Sequence, residues 1–155
     1  MEYDLKVTAE LVPELQSKRK KHTRRLIKAQ PPAGFTETVI DENKLIYWVN
    51  PQTQERYPTP GVPKPYAIDD RLRVNGNGIT LVVDLIWPER LMDISHEDAS
   101  LELGDDPECA KFTCRTRFFD LWDRIYGTGA HQLNPWVWVI KFKYAPPLPP
   151  AITAP

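Results

Sequence analysis

Cationic side chains are concentrated in one segment of the chain, residues 18–28, where seven of eleven residues are Lys or Arg and Thr23 supplies a hydroxyl group. The whole chain has 20 basic and 21 acidic residues, so the remainder carries 13 basic against 21 acidic residues. Localised positive charge on an acidic chain is typical of a site that binds an anion or a polyanion. A solvated basic turn and a nuclear-localisation-like run are the alternatives that charge alone leaves open.

The side chains that most often bind metal ions do not occur in a metal-binding pattern. Cys109 and Cys114 are separated by four residues, and the chain has no further cysteine to complete a zinc set. His22, His96 and His131 lie far apart in the sequence. We therefore predict no metal and no cofactor, and we expect both thiols to be reduced, as in most cytosolic proteins.

Length and composition indicate one globular domain. The chain has 155 residues, of which 41% are hydrophobic, and its mean hydropathy is -0.46. No apolar run approaches the roughly 18 residues that a membrane span requires. The N-terminal residues do not form a basic region followed by an apolar stretch, so we expect no secretory signal and a cytoplasmic location. We also expect no membrane partner and a monomer.

Hydrophobic patterning and turn residues predict an α+β fold, in which a small mixed sheet curls into a barrel with two to three helices packed outside it. The basic segment is expected at the C-terminus of the first helix and in the turn that follows. We predict a single domain over residues 1–145, with an inserted excursion at 29–66 that acts as a functional loop or lid, and a Pro-rich tail at 146–155. The predicted elements are a strand at 4–8, a helix at 9–18, a strand at 45–49, a hairpin of strands at 71–74 and 79–86, helices at 95–104 and 109–126, and a strand at 136–142.

Five motifs occur in order along the chain, at residues 11–28, 70–74, 90–102, 119–122 and 134–142. Taken together, they give the chain a resemblance to the ASCH family. The resemblance covers most of residues 5–144, and it implies a β-barrel similar to the PUA RNA-binding domain. Where the family usually has Gly-Asp, this chain has Asp69-Asp70, so we expect Asp69 to adopt the left-handed conformation.

The resemblance also implies an activity and a set of site residues. One bacterial branch of the family hydrolyses the amide of N4-acetylcytidine with a Lys, a Thr three residues later and a Glu. Lys20, Thr23 and Glu102 fall on those positions. Arg25 matches an Arg of the same branch with a substrate-contacting role, and we expect Arg24 and Tyr66 to contact the substrate as well.

Amide hydrolysis by these residues requires particular protonation states. The hydroxyl of Thr23 is inert until a base removes its proton, and Lys20 is a base only if its pKa falls from about 10.4 toward about 7 to 8. Burial and the like charges of Arg19, Lys21, Arg24 and Arg25 are expected to lower the pKa of Lys20. The position of Glu102 in the last turn of a helix is expected to raise its pKa slightly.

Three functions are therefore open. The first is an amidohydrolase acting on N4-acylated cytosine or cytidine compounds, a small-molecule nucleoside substrate. The second is a PUA-like RNA-binding module, with or without ribonuclease activity, whose cations contact phosphates. The third is a non-catalytic accessory protein, such as a phage-encoded one, whose basic segment docks to a partner.

Overall fold

A computed structural model describes residues 1–74, 78–104 and 113–146 of the chain, and it has a mixed α+β fold. The described residues form eight strands in two sheets together with three α-helices. The strands are β1 (Glu2–Leu5), β2 (His22–Leu26), β3 (Glu37–Ile40), β4 (Leu45–Val49), β5 (Arg56–Pro63), β6 (Arg71–Val74), β7 (Ile79–Arg90) and β8 (Trp136–Tyr144). The helices are α1 (Val12–Gln16), α2 (His96–Glu102) and α3 (Cys114–Tyr126).

The larger sheet has five strands in the order β1-β6-β7-β8-β2. Only the β1–β6 pair is parallel, and the other three pairs are antiparallel. The run of consecutive apolar residues in β8 predicts a strand covered on both faces, and β8 does lie inside the sheet. Its side chains alternate between two cores: Trp136, Trp138 and Ile140 pack on one face, and Val137 and Val139 on the other.

The smaller sheet is formed by segment 29–66, for which the sequence indicates only one strand. Its three strands pair antiparallel in the order β3-β4-β5. The apolar side chains of β4 attach this sheet to the larger one, since Trp48 is fully buried and meets Trp136 edge to face at 5.8 Å between ring centroids. The segment is therefore a second layer over the core of the larger sheet.

Among the described residues, no pairing of the two edge strands closes the larger sheet into a barrel. The predicted mixed α+β fold is therefore confirmed, whereas the predicted barrel is not. The two edges of the larger sheet are β1 and β2. The free edge of β2 is occupied by the end of α2, because Lys21 N–H donates to the Leu101 carbonyl at 3.0 Å and Arg24 N–H donates to Glu102 Oε1 at 3.1 Å. A helix terminus thus takes the place of a neighbouring strand.

The first helix and the basic segment differ from their predictions. The predicted helix at 9–18 is a 3-10 turn at Ala9–Leu11 followed by the short α1, with Pro13 in its first turn. The basic segment continues into strand β2 and is not confined to a helix end and turn. Alternation along this strand sends neighbouring cations to opposite sides, which charge density in the sequence does not reveal.

The later elements agree with the sequence. In α2, Ser95 Oγ accepts a hydrogen bond from Asp98 N–H at 3.0 Å, and the helix ends before Gly104, whose φ is +84°. Helix α3 ends at Gly127 as predicted, while residues 109–112 of the predicted helix lie outside the described residues. Asp69 has a φ of +73°, which confirms the left-handed conformation expected there.

Strands β6 and β7 pair antiparallel as predicted, although residues 75–77 of the predicted hairpin turn lie outside the described residues.

Cys114 is disulfide-bonded, which corrects the expectation of reduced thiols. That expectation came from an assumed compartment and not from geometry. Residues 147–155 of the predicted tail, and Cys109, are outside the described residues as well. Within the described part of the chain, no helix is long and apolar enough to cross a membrane.

Candidate active site

Lys20 is buried, which is unusual for a lysine in a basic segment. Only 2% of its surface is exposed. Its ammonium nitrogen, Nζ, donates to the Glu102 backbone carbonyl at 2.7 Å and lies 3.3 Å from Glu102 Oε1. The structure therefore brings Lys20 together with Glu102, which is 82 residues away in sequence.

Glu102 is held from two sides because the last residue of α2 lies against the free edge of β2. Its Oε1 accepts from the backbone N–H of Arg24 at 3.1 Å, and its Oε2 accepts from Arg24 Nη1 at 3.0 Å. Together with Lys20, these contacts give the carboxylate three donors, two of them cationic. Charge-assisted hydrogen bonds of this kind fix both the position and the ionisation of a buried carboxylate.

Thr23 and Arg25 project from the opposite side of β2 to Arg24, as strand alternation requires. Arg25 Nε donates to Thr23 Oγ1 at 3.1 Å. No hydrogen bond joins Lys20 Nζ to Thr23 Oγ1 in the described part of the chain, although both residues line the same pocket. The threonine oxygen therefore accepts a hydrogen bond from a cationic donor, while the amine is held nearby by Glu102.

These residues line a pocket of about 320 Å³, near the lower end of the range for small-molecule sites. The pocket lies between the two edges of the larger sheet, since residues that follow β1 and residues of β2 both contribute to it. One wall is polar and is formed by Lys20, Thr23, Arg25 and Glu102. The opposite wall is mostly apolar and belongs to α3, with Phe118, Leu121, Trp122, Ile125 and Tyr126.

Burial is the main reason that the pKa of Lys20 is lowered from its ordinary value. Glu102 opposes this shift, and the nearby charges of Arg25 and Arg24 reinforce it. Arg19 and Lys21, which were expected to contribute, are engaged elsewhere: Arg19 pairs with Glu14 at 2.9 Å, and Lys21 Nζ lies 5.4 Å from the centre of the Tyr144 ring. The predicted direction is confirmed, but fewer cations account for it.

The pKa of Glu102 is lowered, opposite to the slight rise expected from its place in the last helical turn. Burial alone raises the pKa of this carboxyl group, but the charges of Lys20 and Arg24, followed by His22, outweigh burial. The partial charge of a helix terminus is small beside two cations in hydrogen-bonding contact. Glu102 is therefore ionised at neutral pH.

Arg24 was expected to contact the substrate, and its surroundings show what holds its side chain. Its guanidinium is fully buried, with Nη2 at 3.7 Å from Glu89 Oε1 and 3.6 Å from Asp98 Oδ2 in addition to its bond with Glu102. His22 lies beside it, 3.9 Å from Asp98, and burial lowers the pKa of this imidazole. Arg24 therefore lines the pocket mainly as the counter-charge of Glu102.

Tyr66 is not brought to this pocket. It lines a separate cavity between the two sheets and packs edge to face against Tyr3 at 5.0 Å between ring centroids. Two pocket residues, Lys6 and Thr8, were not anticipated from the sequence. They fall within the strand predicted at 4–8, whereas β1 ends at Leu5 and both residues follow it. Ile125 of α3 is 49% exposed and lies at the pocket wall.

In the portion of the chain that the structure describes, no group of three or more His, Cys, Asp or Glu side chains is arranged to hold a metal ion. No protein-family model matches the sequence, and no curated protein matches it. The crystal structure of hypothetical protein PH0355 is similar, with a TM-score of 0.54 and 11% identity over 94% of this chain and 100% of that chain. The solution NMR structure of protein PF0455 from Pyrococcus furiosus covers 93% of this chain and 97% of its own, with 14% identity and a TM-score of 0.46. The likeness to PH0355 concerns the fold alone.

Proposed function

We propose that this chain is an amidohydrolase of the ASCH type that cleaves the N4-acyl amide of N4-acetylcytidine-like compounds, giving cytidine and a carboxylic acid. The observation that carries the proposal is the convergence of Lys20, Thr23 and Glu102 on one pocket, with Lys20 buried and its pKa lowered. The motif resemblance supports the same assignment. A five-stranded sheet in which residues of one edge strand and residues that follow the other edge strand line the same pocket supports a PUA-like relationship.

In the proposed reaction, Thr23 is the nucleophile and neutral Lys20 is its base. Thr23 Oγ1 attacks the acyl carbonyl carbon while the Lys20 amine takes the hydroxyl proton. The tetrahedral intermediate collapses as the C–N bond breaks, and the Lys20 ammonium returns the proton to the exocyclic nitrogen of cytosine. Water then hydrolyses the threonyl ester, with Lys20 again accepting and returning a proton, and the carboxylic acid leaves.

Two neighbours fit this scheme. Arg25 Nε, 3.1 Å from Thr23 Oγ1, supplies positive charge beside this oxygen as the hydroxyl group loses its proton to Lys20. Glu102 Oε1 already accepts from Lys20 and from Arg24 N–H, whereas Oε2 accepts only from Arg24 Nη1 among the described contacts. A carboxylate oxygen accepts about two hydrogen bonds, so Oε2 has capacity for the amide N–H of the substrate.

Arg24 makes the neutral form of Lys20 compatible with a buried carboxylate. A buried Glu102 with Lys20 as its only partner would hold that lysine in its charged form. Because Arg24 is permanently charged and contacts both Glu102 oxygens through its backbone and side chain, the carboxylate remains compensated when Lys20 is neutral. Arg24 thus serves as the counter-ion of Glu102, which allows Lys20 to be neutral and to act as the base.

The decisive experiment is to incubate the purified protein with N4-acetylcytidine and to measure cytidine by chromatography. Thr23→Val removes the hydroxyl with little change of shape, and Lys20→Met removes the amine, so we expect each variant to lose about 10³-fold in kcat/KM. Thr23→Ser retains a hydroxyl and serves as the matched control, with activity well above that of Thr23→Val. Intact-mass analysis of a rapidly quenched reaction should show an acetyl adduct on the wild type and none on Thr23→Val.

Absence of cytidine formation by the wild-type protein would overturn the proposal. Retention of activity by both Lys20→Met and Thr23→Val, with both variants folded by circular dichroism, would also overturn it. Loss in Lys20→Met alone would remove Thr23 as nucleophile and leave a lysine-activated water in its place. The RNA-binding module stays a prediction that this assay does not address.

A further inference from the structure

Two cations at the pocket have no carboxylate partner in the described part of the chain. Lys6 follows β1, is exposed and lines the pocket, and Arg25 lines it from β2. Two acidic residues near Lys6 in sequence, Glu2 and Asp4, are instead within 3.7 Å and 3.4 Å of Arg73. The pocket therefore has positive charge on both edges of the sheet that no described carboxylate neutralises.

A third polar group in the same pocket is also unused. Thr8 Oγ1 is buried and has no hydrogen-bond partner among the described residues, although Thr8 lines the pocket. A buried hydroxyl without a partner costs free energy that a ligand with a hydrogen-bonding group recovers. Thr8 thus marks a polar contact that the protein leaves to the ligand.

The remaining charge in the pocket does not cancel these cations. Glu102 is the one carboxylate among the described residues that line the pocket, and it is buried and already paired with Lys20 and Arg24. Ammonium, guanidinium and hydroxyl donors converging on one cavity are the groups that bind phosphate. A cavity of about 320 Å³ has room for one small ligand and not for a chain of them.

We propose that the substrate of this pocket is a phosphorylated one, an N4-acylated cytidine monophosphate, and that Lys6 and Thr8 bind its phosphate group. This inference rests on the proposed function for the identity of the base and the acyl group. It adds two substrate-binding residues that come from the segment after β1. Arg25, which contacts Thr23, is then shared between the phosphate end and the reacting end of the ligand.

The test separates recognition from catalysis by measuring both. Isothermal titration calorimetry compares cytidine with cytidine 5′-monophosphate as probes, and kcat/KM is compared for N4-acetylcytidine and its 5′-monophosphate. We expect the wild type to prefer the phosphorylated member of each pair by about tenfold or more at low salt. Lys6→Gln should reduce that preference by about tenfold and Thr8→Val by about fivefold. Lys28 is exposed and lies outside the pocket, so Lys28→Gln should leave the preference unchanged.

Equal binding of cytidine and cytidine 5′-monophosphate by the wild type would overturn this inference, whether or not hydrolysis occurs. A preference that survives in Lys6→Gln and Thr8→Val would also overturn it. Tighter binding of the monophosphate without hydrolysis of either acetylated compound would support the phosphate site while removing the proposed reaction. An acetylated oligoribonucleotide bound more tightly than the mononucleotide would overturn the assignment to a mononucleotide.

Discussion

Six of the seven cations of segment 18–28 fall into two groups, one buried and one exposed, and Arg25 is intermediate. Lys20 and Arg24 are buried and are both bound to Glu102. The exposed group consists of Lys18, Arg19, Lys21 and Lys28. Exposed cations cost a fold little, whereas each buried ion requires compensation of several kcal/mol from its partners. The difference indicates that burial, and not charge density, identifies the cations whose positions matter for chemistry.

The largest expected effect compares the two arginines of this segment that pair with a glutamate. Arg24→Met removes one of the two cations that compensate the buried charge of Glu102, so we expect the free energy of unfolding to fall by about 3 to 5 kcal/mol. Arg19→Met is the matched control, because Arg19 pairs with Glu14 at the surface, where such pairs contribute about 0 to 1 kcal/mol. Urea denaturation at neutral pH measures both. Similar losses for the two variants would break the distinction between the groups.

Much of the fold was readable from the sequence where local pattern and tertiary environment agree. The apolar run in β8, the Ser95 cap of α2 and the stop of α3 at Gly127 all follow from residue types that act within a few positions. Segment 29–66 was harder, because its strands are short and rich in proline and polar residues, and pairing among them supplies the order that pattern does not. Closure into a barrel depends on contacts between distant strand edges, which no local pattern encodes.

The site was readable only in part, and the reason lies in side-chain direction. Lys20, Thr23 and Glu102 were singled out by motif resemblance, but spacing alone gives no means of bringing Glu102 back to Lys20 over 82 positions. The contact arises because α2 ends on the free edge of β2. Tyr66 was expected to contact the substrate, yet it lines a different cavity. The predicted direction of the Glu102 pKa shift was wrong, because cations from other elements affect this carboxyl group more than the partial charge of its own helix terminus does.

A smaller and more specific effect concerns the pH dependence of hydrolysis, which tests whether buried Lys20 is the base. Activity that needs neutral Lys20 rises with pH through the pKa of Lys20 in the free enzyme. The charge of Glu102 raises that pKa and the charge of Arg25 lowers it. In Glu102→Gln the ascending limb of kcat/KM should therefore move to lower pH, and in Arg25→Met it should move to higher pH. Rates are measured between about pH 6 and pH 10, a window that includes lowered lysine pKa values.

The position of the limb is the informative quantity, because both substitutions are also expected to reduce the maximal rate. Arg19→Met, a surface substitution that removes the same charge as Arg25→Met, should leave the limb in place. Limbs that move in the same direction in Glu102→Gln and Arg25→Met would show that the titrating group is not Lys20.

The smallest expected effect comes from the exposed group. Replacing Lys18, Lys21 and Lys28 by Gln together should change nucleoside kcat/KM by less than about twofold and unfolding free energy by no more than about 0.5 kcal/mol per site. Lys21 is the residue most able to exceed this limit, because its ammonium lies over the Tyr144 ring. If these lysines instead bind RNA, the triple variant should lower the slope of log affinity against log salt by about 0.7 for each phosphate of a single strand that is no longer neutralised. A large loss of nucleoside hydrolysis in this variant would erase the division between buried and exposed cations, whereas a change confined to RNA affinity would assign the two groups to separate functions.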